Sequence, residues 1–276
     1  MLRFYSLPIK AFIISTGYGY KKGKALPFYR VAFDTIRFSG IKYAQYELAF
    51  SFFGEIIQYG IDLLFHLGIT ENRLYSFSKL SKKYSVEIYK TQYFSERQTI
   101  DWLAADRIDF GISAFNNQIF HSTILAYFNE KPFLNLHPGL LPNFKGAEPI
   151  VPLFLNRQEY AGVSLHEITE KIDSGRVLLQ HRFNIQDNDT VFSLNQKSWQ
   201  YGVALLNYWI NHFGQELKRP QLDSVNPDLD YFSFPHKTSI ERLSEMNRRL
   251  FKWKEVYGLL TLELKSQRFY DMQISP

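Results

Sequence analysis

Residues 108–138, IDFGISAFNNQIFHSTILAYFNEKPFLNLHP, contain the pattern that decides the fold class. Two apolar runs, 108–115 and 131–137, have the length of buried strands, and the segment 121–128 between them is typical of a short helix. A crossover of this kind joins parallel strands, because antiparallel neighbours need only a tight turn. The segment therefore predicts a parallel sheet with helices packed on it.

The same alternation continues on both sides of this segment. Towards the N-terminus, YELAFSFFGE at 46–55 has the length of a strand, and residues 56–67 repeat apolar side chains at helical spacing. Towards the C-terminus, a strand is expected at 161–168 and a long apolar helix at 190–214. We therefore predict a doubly wound, mostly parallel α/β sheet of the Rossmann type.

The two ends of the chain differ from this central part. Residues 1–42 carry eight lysines or arginines and a single acidic residue, Asp34, a net charge of +7. Because they show no clean helical period, we expect short strands and turns in a basic, aromatic N-terminal extension. Residues 215–276 are predicted to form a small C-terminal subdomain, which leaves 43–214 as the main domain.

Composition excludes several classes of protein. Of the 276 residues 45% are apolar, which is too many for a disordered chain. The absence of cysteine excludes disulfides, cysteine-based zinc sites, iron–sulfur clusters and thiol nucleophiles. No apolar run is long enough for a membrane span, and the first residues lack the features of a secretory signal, so a cytoplasmic protein is expected.

The charge distribution bears on nucleic acid as a partner. The excess positive charge lies in residues 1–42, and the rest of the chain carries a net charge of −2. A nucleic-acid footprint normally covers the working face of a protein, so nucleic acid is not the expected substrate. Outside the strand end described next, five histidines show no metal-ligand spacing and are expected in core or surface positions. They are His121, His166, His181, His212 and His236.

Polar residues at the end of the strand 131–137 are the first candidates for a site. Strand alternation directs Asn135 and His137 to the same side, so an amide and an imidazole converge there. In doubly wound sheets, ligands bind outside the carboxyl ends of the strands. From position alone, the two side chains either form a site or tie down the loop that follows.

The residues around them resemble a known family. LNLHPGLLPNFKGAEPI at 134–150, followed by EKIDSGRVLLQ at 170–180, is similar to the 10-formyltetrahydrofolate-dependent formyltransferases. That family has an Asn-x-His-Pro-Ser-Leu-Leu-Pro-x-Tyr-Arg-Gly stretch and a later Asp-x-Gly turn. The resemblance covers residues 46–210 and implies the formyltransferase fold and a formyl-transferring enzyme.

The resemblance also implies which residues carry the chemistry. The family's catalytic Asn, His and Asp fall on Asn135, His137 and Asp173. Asn135 and His137 are then expected to hold the negative charge that develops on the formyl oxygen. Asp173 is expected to orient the imidazole and to accept the proton of the attacking amine. This chain departs from the pattern in the loop after the strand: Gly139 replaces Ser, Phe144 replaces Tyr and Lys145 replaces Arg.

The implied co-substrate is 10-formyltetrahydrofolate, with no metal. The resemblance places the pterin against the loop at 114–120, so Phe115, Gln118 and Ile119 are the candidate lining residues. A homodimer is also implied by the family.

The acceptor amine is the least determined part. Enzymes acting on glycinamide ribonucleotide carry a Gly-Ser-Asn phosphate loop after the first strand, where this chain has Phe53-Gly54-Glu55, and an acidic residue repels phosphate. Enzymes acting on methionyl-tRNA add a larger C-terminal domain, whereas residues 201–276 have a net charge of only +1. What remains is similar to the sugar-nucleotide N-formyltransferases, which have a catalytic domain of this size and a short C-terminal region. This resemblance implies that the acceptor is a small molecule, the primary amine of a nucleotide-linked amino sugar.

Three residues are candidates for contacting this acceptor: Lys145, Tyr231 and Phe234. The two aromatic residues suit stacking on a base, although they equally suit the core of the C-terminal subdomain. Methionyl-tRNA or another small amine stays open as the acceptor. So do hydrolysis of 10-formyltetrahydrofolate and a binding module without catalysis.

Overall fold

The computed structural model describes residues 9–16, 20–21, 24–49, 77–114, 116 and 118–255, and the fold is given for these residues. The helices are α1 (Phe28–Ser39), α2 (Phe77–Tyr84), α3 (Arg97–Ala105), α4 (Ser122–Tyr127), α5 (Ile150–Leu155), α6 (Val191–Asn211) and α7 (Lys237–Glu245). The strands are β1 (Ala11–Ser15), β2 (Tyr20–Lys21), β3 (Lys24–Ala25), β4 (Glu87–Thr91), β5 (Gly111–Ala114), β6 (Phe133–His137), β7 (Lys145–Gly146), β8 (Tyr160–Glu167), β9 (Val177–Asn184) and β10 (Tyr231–Phe232). Residues 41–49 are also helical, and Pro227–Leu229 form one 3₁₀ turn.

The central sheet has the strand order β5-β6-β8-β9. β5 and β6 run parallel and are connected through α4, as the alternation in residues 108–138 predicted. β1 and β4 form a second parallel pair. β8 and β9 run antiparallel because the short turn at 168–176 joins them as a hairpin. The prediction of a Rossmann-like α/β fold is confirmed.

The long helix α6 covers one face of the central sheet. Leu134 and Leu136 of β6 and Val163 and Leu165 of β8 are buried against its apolar side, which includes Leu205. Full burial of each such side chain contributes about 1.5–3 kcal/mol. Since successive residues of a strand point to opposite faces, Asn135, His137, Ser164 and His166 lie on the other face.

The strand expected at 46–53 is wrong in its described part, because residues 46–49 are helical. Within the helix 41–49, Tyr43, Tyr46 and Ala49 are buried at helical spacing, and the two tyrosines pack with Ile150 in one apolar cluster. A short apolar run fits a strand and a buried helix equally well, and here the packing decides for the helix. The remainder of that predicted strand and helix, residues 50–67, lies outside the described residues.

The N-terminal segment contains more regular structure than expected. The strand β1 pairs in parallel with β4, in the register Ala11 to Glu87, and α1 forms a three-turn helix where no helical period was expected. One side of α1 carries the exposed pair Arg30 and Asp34, 4.0 Å apart, and its aromatic residues obscure the period in the sequence. The boundary at 42/43 stays a prediction.

The segment after residue 214 packs against the main part of the chain. Ile240 and Leu243 of α7 are buried in the same apolar cluster as Ile150 of α5. β10 pairs in parallel with β7, with Tyr231 opposite Lys145. The boundary at 214/215 also stays a prediction. None of the helices in the described part of the chain combines the length and hydropathy needed to cross a bilayer.

Candidate active site

The carboxyl end of β6 places two of the predicted residues side by side. Leu134 and Leu136 point into the apolar core, and this fixes the alternation that turns Asn135 and His137 to the polar face. The His137 ring is almost completely buried. Its Nε2 lies 2.7 Å from the carbonyl oxygen of Phe144 in the following loop. Asn135 is half-buried beside it.

Asp173 reaches the same place from the turn between β8 and β9. Its φ is 48°, a left-handed conformation that a short polar side chain tolerates. Gly175 allows the turn to close, since a Cβ there would lie 1.9 Å from the carbonyl oxygen of Glu167. The N–H of Gly146 donates to Asp173 Oδ2 at 2.8 Å, which fixes the carboxylate. The structure therefore brings together all three predicted catalytic residues.

The electrostatic contact of the site is between His137 and Asp173. His137 Nδ1 lies 3.5 Å from Asp173 Oδ2. Burial by itself raises the pKa of the Asp173 carboxyl, but the two neighbouring imidazoles and the Gly146 N–H outweigh it, and the pKa falls to about 2. Burial lowers the pKa of the His137 imidazole below its ordinary value, and the neighbouring Asp173 only partly offsets this shift. Asp173 is therefore an anion at every physiological pH.

His166 also contacts these three residues, and the sequence did not identify it. It was expected in an ordinary core or surface position, but its Nε2 lies 3.4 Å from Asp173 Oδ1 and 3.2 Å from Asn135 Nδ2. Its side chain is buried, and its Nδ1 lies 2.8 Å from the carbonyl oxygen of Glu167. Its neighbours in the sequence could not have identified it, because His166 meets Asn135 only through the antiparallel register of β8 on β6.

Ser113 extends the row of polar residues to β5. It lies opposite Asn135 in the parallel register, and its buried hydroxyl has no hydrogen-bond partner among the described residues. The polar side chains Ser113, Asn135 and His166 thus cross three neighbouring strands on one face of the sheet. No cluster of three or more His, Asp or Glu in the described ranges is placed to hold a metal ion.

The candidate folate-lining residues have different surroundings. Phe115 lies outside the described residues. Gln118 uses its carboxamide within the protein: Nε2 donates to Ser15 Oγ and to the carbonyl oxygen of Gln92, both at 3.0 Å, and Oε1 accepts from the N–H of Phe94. Its side chain therefore joins this loop to the end of β1. Ile119 is 58% exposed, so its side chain is open to a ligand.

The candidate acceptor-binding residues lie next to the catalytic group. The β7–β10 pairing sets Tyr231 opposite Lys145, one residue before the Gly146 that binds Asp173. Tyr231 and Phe234 are both about half exposed, at 51% and 53%. Lys145 Nζ donates to Asp230 Oδ1 at 2.6 Å, so its charge is already paired. Of the two aromatic residues, Tyr231 is thus an exposed side chain beside the site.

Comparisons with known proteins agree with this arrangement. Residues 71–207 match the family described as formyl transferase. Among curated relatives, the bifunctional polymyxin resistance protein ArnA of Wigglesworthia glossinidia brevipalpis is 28% identical over 162 residues, which cover 59% of this chain and 24% of that protein. A methionyl-tRNA formyltransferase of Staphylococcus aureus (strain Newman) is 26% identical over 128 residues, covering 46% of this chain and 41% of that protein. The chain thus spans less than half the length of either relative.

Similar solved structures include the formyltransferase PseJ from Anoxybacillus kamchatkensis in complex with UDP-4,6-dideoxy-4-formamido-L-AltNAc and tetrahydrofolate. It is 22% identical, with a TM-score of 0.46, and the match covers 62% of this chain and 87% of that one. Another is the phosphoribosylglycinamide formyltransferase from Streptococcus pneumoniae TIGR4, 21% identical, with a TM-score of 0.45 and coverages of 51% and 82%. Residues 71–207, which include the polar residues at the end of β6, belong to the formyl transferase family.

Proposed function

We propose that this chain transfers the formyl group of 10-formyltetrahydrofolate to the primary amine of a nucleotide-linked amino sugar. The observation that carries the proposal is the convergence of Asn135, His137 and Asp173 at the carboxyl end of β6. An amide, a buried imidazole and a carboxylate of low pKa are the groups that acyl transfer to an amine requires.

The chemistry follows from the charges that the reaction creates. A bond forms between the amine nitrogen and the formyl carbon, and the bond from that carbon to N10 of the folate breaks. The amine loses one proton and N10 gains one, so the proton count balances. Negative charge develops on the formyl oxygen on the way, and it must be stabilised where water is excluded.

Each of the three catalytic residues has one role in this reaction. Asn135 presents an N–H to the formyl oxygen. His137 becomes positively charged when it takes a proton beside the Asp173 anion, and that charge then lies close to the same oxygen. Since the pKa of Asp173 is about 2, that carboxylate is a weak base, and its first role is to favour a protonated imidazole. The proton from the amine then leaves through the pair formed by His137 and Asp173.

The choice of acceptor rests on the surroundings of Gly146. Tyr231 lies beside the residue that binds Asp173, Phe234 follows three residues later, and both are exposed. Aromatic faces suit a nucleotide base or a sugar ring. The low charge of residues 201–276 disfavours a tRNA backbone. Glycinamide ribonucleotide is not disfavoured by Phe53-Gly54-Glu55, because a phosphate loop there presupposes a strand over 46–53 and residues 46–49 are helical.

The test is turnover with a panel of acceptors. The purified chain is mixed with 10-formyltetrahydrofolate and, separately, with nucleotide-linked amino sugars, glycinamide ribonucleotide, methionyl-tRNA and buffer alone. Released tetrahydrofolate is followed by absorbance, and the formylated product is identified by mass spectrometry. We expect turnover with an amino sugar that is lost in Asn135→Ala and kept in His181→Gln, whose ring stacks on Tyr201 away from the site.

The other arms of this experiment contradict separate parts of the proposal. Turnover with glycinamide ribonucleotide or methionyl-tRNA alone rejects the amino sugar and retains formyl transfer. Equal folate turnover in buffer alone shows a hydrolase. If no arm responds while tetrahydrofolate still binds, the chain is a binding module.

A further inference from the structure

The two imidazoles of the site share one hydrogen-bonding arrangement. His137 Nε2 faces the carbonyl oxygen of Phe144, and His166 Nδ1 faces that of Glu167. A carbonyl oxygen only accepts hydrogen bonds, so each of these nitrogens carries a hydrogen whether its ring is neutral or charged. The atoms whose protonation can change are therefore His137 Nδ1 and His166 Nε2.

Both of these variable atoms face Asp173. His137 Nδ1 lies 3.5 Å from Oδ2, and His166 Nε2 lies 3.4 Å from Oδ1. A neutral ring turns a lone pair towards the carboxylate, whereas a protonated ring donates to it. One carboxylate thus favours a proton on each of two imidazoles.

Protonation of both rings at once is unfavourable. The ring centroids are 6.2 Å apart, and both side chains are at least nine-tenths buried, so water does not screen two positive charges. Asp173 supplies a single negative charge. Neighbouring charges are already paired: the exposed Glu167 with Arg176 at 2.5 Å, and Lys145 with Asp230 at 2.6 Å. The first proton therefore weakens the binding of a second one, and the second imidazole is protonated only at lower pH.

Asn135 distinguishes the two locations of the proton. Its Nδ2, a donor, lies 3.2 Å from His166 Nε2. A neutral His166 accepts this hydrogen bond and fixes the amide with its second N–H free for a ligand. A protonated His166 offers a hydrogen instead of a lone pair, so the amide must turn or move away.

We propose that His166 is a positioning residue that competes with His137 for one proton at Asp173, and that only the state with the proton on His137 holds Asn135 as a donor. The expected effect on turnover rests on the proposed function, because there Asn135 is the donor to the formyl oxygen. The competition itself is a property of the free protein. Formyl transfer should therefore weaken as the pH falls and His166 is also protonated.

The competition is tested by nuclear magnetic resonance of the ¹⁵N-labelled chain without ligand, between about pH 5 and pH 8. The Asn135 amide signals are assigned by their loss in Asn135→Asp. We expect them to shift together with the His166 ring nitrogens in the wild type and to stay constant in His166→Gln. Amide signals that do not move in the wild type, or two rings that titrate independently, overturn the proposal.

Turnover is tested with two substitutions of the same residue. His166→Gln keeps an acceptor for Asn135 but does not titrate, and His166→Leu removes the acceptor. We expect kcat of His166→Gln to stay within about threefold of wild type, with a flatter acid side of the pH profile. Loss of one hydrogen bond should lower kcat of His166→Leu about tenfold, with a smaller change in KM. His181→Gln is the matched control, and thermal unfolding shows whether each variant is folded.

The two tests fail in different ways. A folded His166→Leu with wild-type kcat, or a His166→Gln that keeps the acid side unchanged, overturns the role of His166 in turnover. Coupled signals of Asn135 and His166 in a chain without formyl transfer to any acceptor support the competition and reject the proposed function.

Discussion

The two faces of the central sheet are built from the same strands and differ in what their side chains meet. One face of β6 and β8 presents Leu134, Leu136, Val163 and Leu165, and the other presents Asn135, His137, Ser164 and His166. Burial does not separate them, since Leu136, Ser164 and His166 are each exposed by 2% or less. What separates them is the kind of contact.

The apolar face packs on α6, and its contribution depends on area rather than direction. On the polar face of β6 and β8, the side chains of Asn135, His137, Ser164 and His166 each have a partner at hydrogen-bonding distance. Ser164 Oγ donates to the carbonyl oxygen of Gly139 at 2.6 Å and accepts from the N–H of Leu141. Buried polar groups need such partners, and a network of them is directional. Substitutions on the first face should therefore affect stability, and those on the second should affect turnover.

The largest expected effect on turnover is that of Asp173→Asn. The amide keeps the size of the carboxylate but removes the charge that favours a protonated His137. We expect kcat to fall about 10²–10³-fold, the range for a lost acid–base or oxyanion group. Steady-state release of tetrahydrofolate measures it. Asp223→Asn, in an exposed ion pair with Arg182, is the control, and a kcat for Asp173→Asn above a tenth of wild type contradicts the assignment.

The same variant should change the acid stability of the protein. The pKa of Asp173 is lowered on folding from 3.8 to about 2, so the ionised carboxylate contributes on the order of 2 kcal/mol above pH 3.8. That contribution is lost as the pH falls from 3.8 through about 2. Urea unfolding over this range should show a smaller slope with pH in Asp173→Asn. An equal slope in both proteins argues against a low pKa.

The largest expected effect on stability is that of Leu136→Ala on the apolar face. Leu136 is 2% exposed beneath α6, and truncation of such a side chain leaves a cavity. We expect the free energy of unfolding to fall by about 2–5 kcal/mol, while kcat per folded molecule stays within a few-fold. Urea unfolding and turnover are measured on the same sample. A kcat that falls as strongly as in Asp173→Asn shows that the two faces are not separable.

Glu148 tests a buried polar group outside the sheet. Burial raises the pKa of its carboxyl from 4.5 to about 7, with Glu47 acting in the same direction. A raised pKa favours the folded state below pH 4.5, and this advantage is lost as the pH rises through about 7. We expect the wild type to lose on the order of 2–3 kcal/mol over this range and Glu148→Gln to lose less. The urea midpoints of both proteins are measured at pH 4.5 and at about pH 7. If the midpoint changes equally in wild type and in Glu148→Gln, the raised pKa is contradicted.

The smallest effect is expected for Gly139→Ala. A Cβ at this position would lie 2.7 Å from His137 Nε2 and 2.9 Å from the Phe144 carbonyl oxygen, so the ring must move off that carbonyl. Loss of this hydrogen bond should lower kcat about threefold to tenfold. The ¹⁵N signals of the His137 ring, compared between wild type and variant, report the displacement. Unchanged ring signals would show that the loop moves instead.

Part of the fold and of the site was predictable because the signals are local. The alternation of Leu134 and Leu136 with Asn135 and His137 needs no knowledge of other strands, and it gave both β6 and the shared direction of the two polar residues. Asp173 was identified because its Asp-x-Gly turn resembles that of the formyltransferases. The helix at 41–49 was missed because a short apolar run has no period long enough to identify it.

The sequence by itself determined the alternation of β5 and β6, the turn at Asp173 and the three residue types of the site. The tertiary structure decided what these residues meet: His166 opposite Asn135, and Gly146 against Asp173 and Tyr231. Such pairs join segments about thirty or more residues apart, and their register depends on how the whole chain packs. A histidine on a mixed strand therefore has no local feature that distinguishes a site residue from a core residue.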